Sequence, residues 1–112
     1  MTDFLKIEQI DGFTVTYLSG RLDIALTEEI EKEFYNLIEQ GHTKIIVDLD
    51  GVTYFSSSAM RVLIAVKRKL DAIKGQLKLT RTSQMVNKIM SALELIKVFE
   101  IFEDVDSAIK AG

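Results

Sequence analysis

Three consecutive serines, Ser56-Ser57-Ser58, stand directly before the longest helical pattern in the chain. Serine at that place has three uses. It can cap the helix, because its hydroxyl accepts a hydrogen bond from an otherwise unpaired amide, worth about 1 kcal/mol. It can accept phosphate, because free amides and the positive end of the helix dipole stabilise an added dianion there. It can act as a nucleophile, if a base lies within reach. Capping needs one serine or two and does not explain three.

The nucleophile reading lacks its partners. His42 is the only histidine, and it follows Gly41, where a helix stops. It reads as a surface-loop histidine with no histidine or cysteine beside it for a metal site. Glycines are absent on both sides of the serines, so the G-x-S-x-G elbow is missing, as are the G-x-G-x-x-G and Walker phosphate loops. Asp48 and Asp50 lie two apart on an extended segment and point to one side. With Asp23 they could form an acidic pocket for a cation. The plainer expectation is that Asp48 caps a strand end and Asp50 opens an Asp-Gly turn.

Composition narrows the field further. No cysteine is present, which removes disulfides, zinc-thiolate sites and thiol catalysis together. The net charge of −3 argues against direct nucleic-acid binding, which needs a basic surface. The longest apolar run, Val62 to Val66, is far too short to span a membrane, and the first residues show no secretory pattern. A cytoplasmic protein without a cofactor, metal or membrane partner is expected. Its 112 residues, 47% hydrophobic, are expected to form one domain spanning 1–112.

The elements that must position the serines follow from periodicity. Phe4 to Ile10 and Phe13 to Ser19 read as strands joined at Asp11-Gly12, a hairpin turn. Gly20 ends the second strand. A helix then begins after Asp23, with Thr27 as N-cap, and runs to Gly41, burying Leu26, Ile30, Phe34, Leu37 and Ile38. Lys44 to Asp50 is nearly continuous in apolar character and suits a central strand, with Asp50-Gly51 as its turn. The next helix spans about Ser57 to Lys74, with Ala59, Met60, Val62, Leu63, Val66, Leu70 and Ile73 on its apolar face and Gly75 as terminator. Lys67, Arg68 and Lys69 read as its solvated side. Gln76 to Thr80 is a strand. Ser83 caps a helix to Ala92 with Met85, Val86, Ile89, Met90 and Leu93 inward. Phe99 to Phe102 is an edge strand, and Asp104 to Ala111 a last helix. The alternation predicts an α/β domain with a mainly parallel or mixed sheet of four to five strands and about four helices.

Two segments resemble a known family. Val47-Asp-Leu-Asp-Gly-Val-Thr-Tyr-Phe-Ser-Ser-Ser-Ala-Met60 is similar to the signature of STAS domains, which include the bacterial anti-sigma factor antagonists. The pattern there is a strand ending in Asp-Leu, a Gly-Val pair, an aromatic or apolar pair, then Asp-Ser-Ser-Gly-Leu opening a helix. Leu18-Ser-Gly-Arg-Leu-Asp23 resembles the family's apolar-x-Gly-x-Leu/Ile-Asp segment upstream. The resemblance covers essentially the whole chain. It departs at two positions, where Ser56 replaces the aspartate and Ala59 the glycine.

The resemblance implies a non-enzymatic STAS-type switch. The second serine of the signature, Ser58, is the phosphate acceptor it implies, with Ser57 as fallback. Asp23, Ser56, Ser57, Ser58, Ala59, Met60 and Arg61 would form the partner face, although core packing is the competing use of Met60. The implied partners are an anti-sigma factor that is itself a serine kinase, bound when the serine is free, and a serine phosphatase that restores that state. A STAS module that is never phosphorylated, serving as scaffold or ligand sensor, is the alternative. The chain's length counts against the transporter-attached version of that module.

Overall fold

Two residues with positive φ, Asp11 at 49° and Gly12 at 86°, turn the first strand back onto the second. Asn, Asp and Gly tolerate this region best, which is why Asp-Gly signals such a hairpin. The structure is a computed structural model and describes residues 4–95 and 97–112. Met1 to Asp3, part of the stretch read for a leader, lie outside the described residues. The hairpin joins β1 (Leu5–Ile10) to β2 (Phe13–Leu22), with Ile10 opposite Phe13. After α1 (Ile24–Glu39), strand β3 (Lys44–Phe55) lies parallel to β2. Then come α2 (Ser57–Ala72), β4 (Gln76–Thr80), α3 (Gln84–Ala92), β5 (Glu100–Phe102) and α4 (Val105–Lys110). The sheet order is β1-β2-β3-β4-β5, antiparallel at the first pair and parallel afterwards. The expected mixed α/β sheet is therefore present, with five strands and four helices among the described residues.

The larger core lies between the sheet and the first three helices. Leu18, Ile45, Val47, Leu49 and Leu79 meet Phe34, Met60, Leu63, Val66 and Leu70 there. Phe34 and Phe55 are almost fully buried, each contributing about 1.5–3 kcal/mol of apolar burial. Phe13, Val15 and Ile46 face the other way and are covered by Ala108 of α4. Lys78 is buried on that face as well. Its Nζ donates to the Ala108 carbonyl at 2.8 Å and lies 4.9 Å from the Phe13 ring centroid and 5.1 Å from that of Phe102.

Several boundaries differ from the sequence reading, each for a physical reason. The N-cap of α1 is Asp23, whose carboxylate accepts from the Leu26 amide at 3.1 Å. Thr27 lies one turn inside the helix, buried, and its hydroxyl donates to the Ile24 carbonyl. Gly20 does not end β2. It adopts φ 90° within the strand, at one of two register shifts between β2 and β3. Asp50-Gly51 is not a turn, because β3 runs through it and Gly51 pairs with Ser19. A Cβ on Gly51 would lie 2.9 Å from the Ser19 Cβ, so glycine serves close strand approach there rather than a turn. The left-handed residue ending α2 is Lys74, with φ 60°. Gly75 follows it where a Cβ would meet the Thr43 carbonyl at 2.5 Å. Gly41 does end α1 as expected: its amide bonds Ile38 and the His42 amide bonds Leu37, the Schellman arrangement. Ile73, Met85 and Leu93 are exposed rather than inward.

Candidate functional site

The ends of β2 and β3 deliver the starts of α1 and α2 side by side. Leu22 pairs with Phe55, and the next residue in each strand caps a helix. Ser56 is the cap of α2. Its hydroxyl accepts from the Ala59 amide at 3.1 Å and donates to the Leu22 carbonyl at 2.7 Å. The Ser56 amide also bonds that carbonyl at 3.2 Å. This one serine therefore caps its helix and ties the two strand ends together.

Ser57 and Ser58 are released from that task. Ser57 is exposed and Ser58 half-buried. Among the described residues, neither hydroxyl has a hydrogen-bond partner in the protein. Ser58 forms the shared wall of two surface clefts, each of about 480 Å³. One runs between α1 and α2 and is lined by Thr27, Glu28, Glu31, Arg61 and Val62. The other is lined by Arg21, Asp23, Tyr54, Ser56 and Ser57. Ile24 borders both and is 70% exposed, a large apolar side chain left at a helix start.

Of the seven residues expected on one face, the structure brings Asp23, Ser56, Ser57, Ser58 and Arg61 together at these clefts. Ala59 and Met60 belong to the core instead, at 4% and 1% exposure. They fall on the side of α2 that carries Leu63 towards the sheet, so a partner cannot reach them. Three residues at the clefts carried no role in the sequence reading: Arg21, Ile24 and Tyr54. Arg21 and Tyr54 pair across β2 and β3, and the guanidinium lies 4.5 Å over the ring. Their signal was the exposed position directly before buried Leu22 and Phe55, visible only once both strands are known to extend this far.

The other candidates have structural uses. Asp48 is buried in mid-strand, where it accepts from the Thr80 hydroxyl at 2.8 Å and from the Asp50 amide at 3.2 Å. Arg81 approaches Asp48 at 3.7 Å and Asp50 at 3.5 Å, so an arginine supplies the positive charge there. Among the described residues no group of three His, Cys, Asp or Glu side chains could hold a metal. His42 places Nδ1 2.8 Å from the Thr14 hydroxyl and lines neither cleft. Lys67 pairs with Asp71, and Lys69 covers the Tyr35 ring. Burial, together with the hydrogen bond it donates to Glu31, pushes the Tyr35 hydroxyl above its ordinary pKa. Among the described residues no helix is long and apolar enough to cross a membrane.

Among the described residues, a five-stranded mixed sheet whose strand ends present a serine cluster at paired helix starts defines the α/β class of this domain. The chain belongs to the STAS domain family, which it matches over residues 4–108. It is 25% identical over 107 residues to BtrV of Bordetella bronchiseptica, a proposed anti-sigma factor antagonist, with 96% of this chain and 92% of the relative covered. Its fold is also that of an anti-sigma factor antagonist from Mycobacterium paratuberculosis, at a TM-score of 0.86 and 21% identity over 96% of this chain and 91% of that one. The Bacillus cell fate determinant SpoIIAA in its phosphorylated form shares the fold at a TM-score of 0.77 and 22% identity, covering 96% of this chain and 99% of that one.

Proposed function

We propose that this chain is an anti-sigma factor antagonist that works by partner switching, with Ser58 as its phosphate acceptor. The observation that carries the reading is the division of labour among the three serines. Ser56 is committed to the helix cap, whereas the Ser58 hydroxyl is unengaged on the wall of both clefts. Phosphate on Ser58 adds close to two negative charges at that spot and breaks none of the hydrogen bonds that hold the fold. It changes the surface and leaves the scaffold intact.

In this reading the unphosphorylated chain binds an anti-sigma factor that is itself a serine kinase, in the cytoplasm of a bacterium. Phosphorylation releases that partner, and a serine phosphatase resets the switch. The protein contributes a surface and catalyses nothing. Both departures from the family signature fit the same scheme. Serine replaces aspartate at position 56 and still caps, the two being about equal in that role. The Ala59 methyl points into the core at 4% exposure, away from a docking partner.

The test is peptide mapping by mass spectrometry on the protein recovered from its own cells, growing and stressed. A single phosphate on Ser58 that varies with condition is the expected result. Phosphate on Ser57 keeps the mechanism and moves the acceptor. Absence of phosphate in every condition refutes the switch and leaves a constitutive interaction module. In parallel, Ser58→Asp is expected to fold normally and to lose the partner, and Ser58→Ala to fold and hold it.

A further inference from the structure

The clefts that meet at Ser58 hold two cations among their described lining residues, Arg61 in one and Arg21 in the other. Neither guanidinium forms an ion pair with a described residue. Arg61 lies three residues after Ser58 on α2, the spacing at which side chains share a helix face. Arg21 is held in place by its stacking over Tyr54 at 4.5 Å. Arginine presents a planar fork of donors matched to phosphate oxygens. Ser58 alone among the three serines lines both clefts; Ser56 and Ser57 line only the one that holds Arg21.

We infer that Arg21 and Arg61 form a clamp for phosphate on Ser58, closing on it from the two sides. The inference rests on the phosphoserine reading above and names the residues that regulate it. Asp23, Glu28 and Glu31 line the same clefts and repel a dianion, so the arginines also hold the phosphate against its acidic surroundings. Closing the clamp cancels two exposed positive charges. The dephosphorylated face is cationic at Arg21 and Arg61, and the phosphorylated face is not.

The test installs phosphoserine at position 58 by genetic encoding and needs no kinase. The second ionisation of the phosphate, about pH 6 when unperturbed, is followed by phosphorus NMR. In the otherwise unaltered chain it is expected to fall by roughly half a unit or more, because nearby cations favour the dianion. In the R21Q/R61Q double variant it is expected to rise above the value of the unaltered chain, pushed by the three carboxylates, while the start of α2 goes on favouring the dianion. Salt at 1 M, where the Debye length is about 3 Å, is expected to narrow the gap between the two proteins. With phosphoserine at position 57 instead, R61Q should have no effect. An unchanged ionisation in the double variant, with circular dichroism showing it folded, overturns the clamp. That outcome is separate from failure of the switch, which absence of phosphate on Ser58 in cells would show while leaving this titration as it stands.

Discussion

Ser56→Ala separates the structural serine from the other two. The substitution removes the cap on α2, worth about 1 kcal/mol. It also removes the bond donated to the Leu22 carbonyl at 2.7 Å, a further 0.5–1 kcal/mol or about that. The carbonyl is not orphaned, because the Ser56 amide still reaches it at 3.2 Å, so the cost stays at the low end. The sum is about 1.5–2 kcal/mol, a sizeable share of the roughly 5–15 kcal/mol of a whole domain. At this chain length each kcal/mol moves the melting temperature by about 4 °C, giving a drop of about 6–8 °C. Urea unfolding followed by circular dichroism measures the difference directly. Ser57→Ala and Ser58→Ala break no hydrogen bond within the protein and should stay within about 0.5 kcal/mol of the parent. Ser56→Asp keeps a capping acceptor and loses the donated bond, so it should recover about half of the loss. If Ser58→Ala destabilises as much as Ser56→Ala, the division of labour is wrong and Ser58 is a structural residue.

Gly51→Ala should cost about 1–3 kcal/mol, the range for overpacking, because the new Cβ would press on Ser19 at 2.9 Å with the Leu18 carbonyl at 3.2 Å. A neutral result by the same unfolding assay would mean that β2 and β3 separate freely there. Asp104 titrates below the ordinary carboxylate value, chiefly because the Ser107 amide donates to it at 2.8 Å. Its contribution to α4 is therefore complete above the unfolded value of about 4 and is lost as pH falls through the lower folded value. Amide exchange in α4 should accelerate in acid, and Asp104→Asn should largely remove that pH step.

Local signals were legible where one residue type has one use. The Asp11-Gly12 hairpin, the Gly41 terminator and the Ser83 cap all stand where the sequence put them. The misreadings at Gly20 and Asp50-Gly51 share a cause, which is that pairing across the sheet overrides local turn chemistry. Asp50-Gly51 has the composition of a turn, but β2 runs long enough to pair beyond it, so the chain stays extended. The cap of α1 was misassigned because Ile24 and Ala25 are exposed and add nothing to the apolar stripe, which left Thr27 as the first visible cap. The serine cluster was legible as a candidate from its position before a helix. Which serine caps was not, because three adjacent hydroxyls compete for one amide and the Leu22 carbonyl that decides the matter lies 34 residues away in sequence. Arg21 and Tyr54 were hidden for the same reason, since the two meet only through the strand register.

That register carries a further consequence. Between Tyr17 and Leu22 the pairing with β3 slips twice, and each slip gives β3 one residue more than β2. One extra residue reverses which side chains face the helices; two restore the original sense. Val52 sits within the reversed interval and still packs against the core, while Phe55, beyond it, faces the core in step with Leu49. The count of slips is even, so the strand gains length without losing its sidedness. The extra backbone, up to about 6 Å at strand rise, carries the start of α2 forward relative to β2. In this stretch the chain therefore accommodates length changes in pairs. Deleting a single residue between Gly51 and Thr53 would turn Tyr54 inward and Phe55 outward, and would dismantle the serine platform without touching a serine.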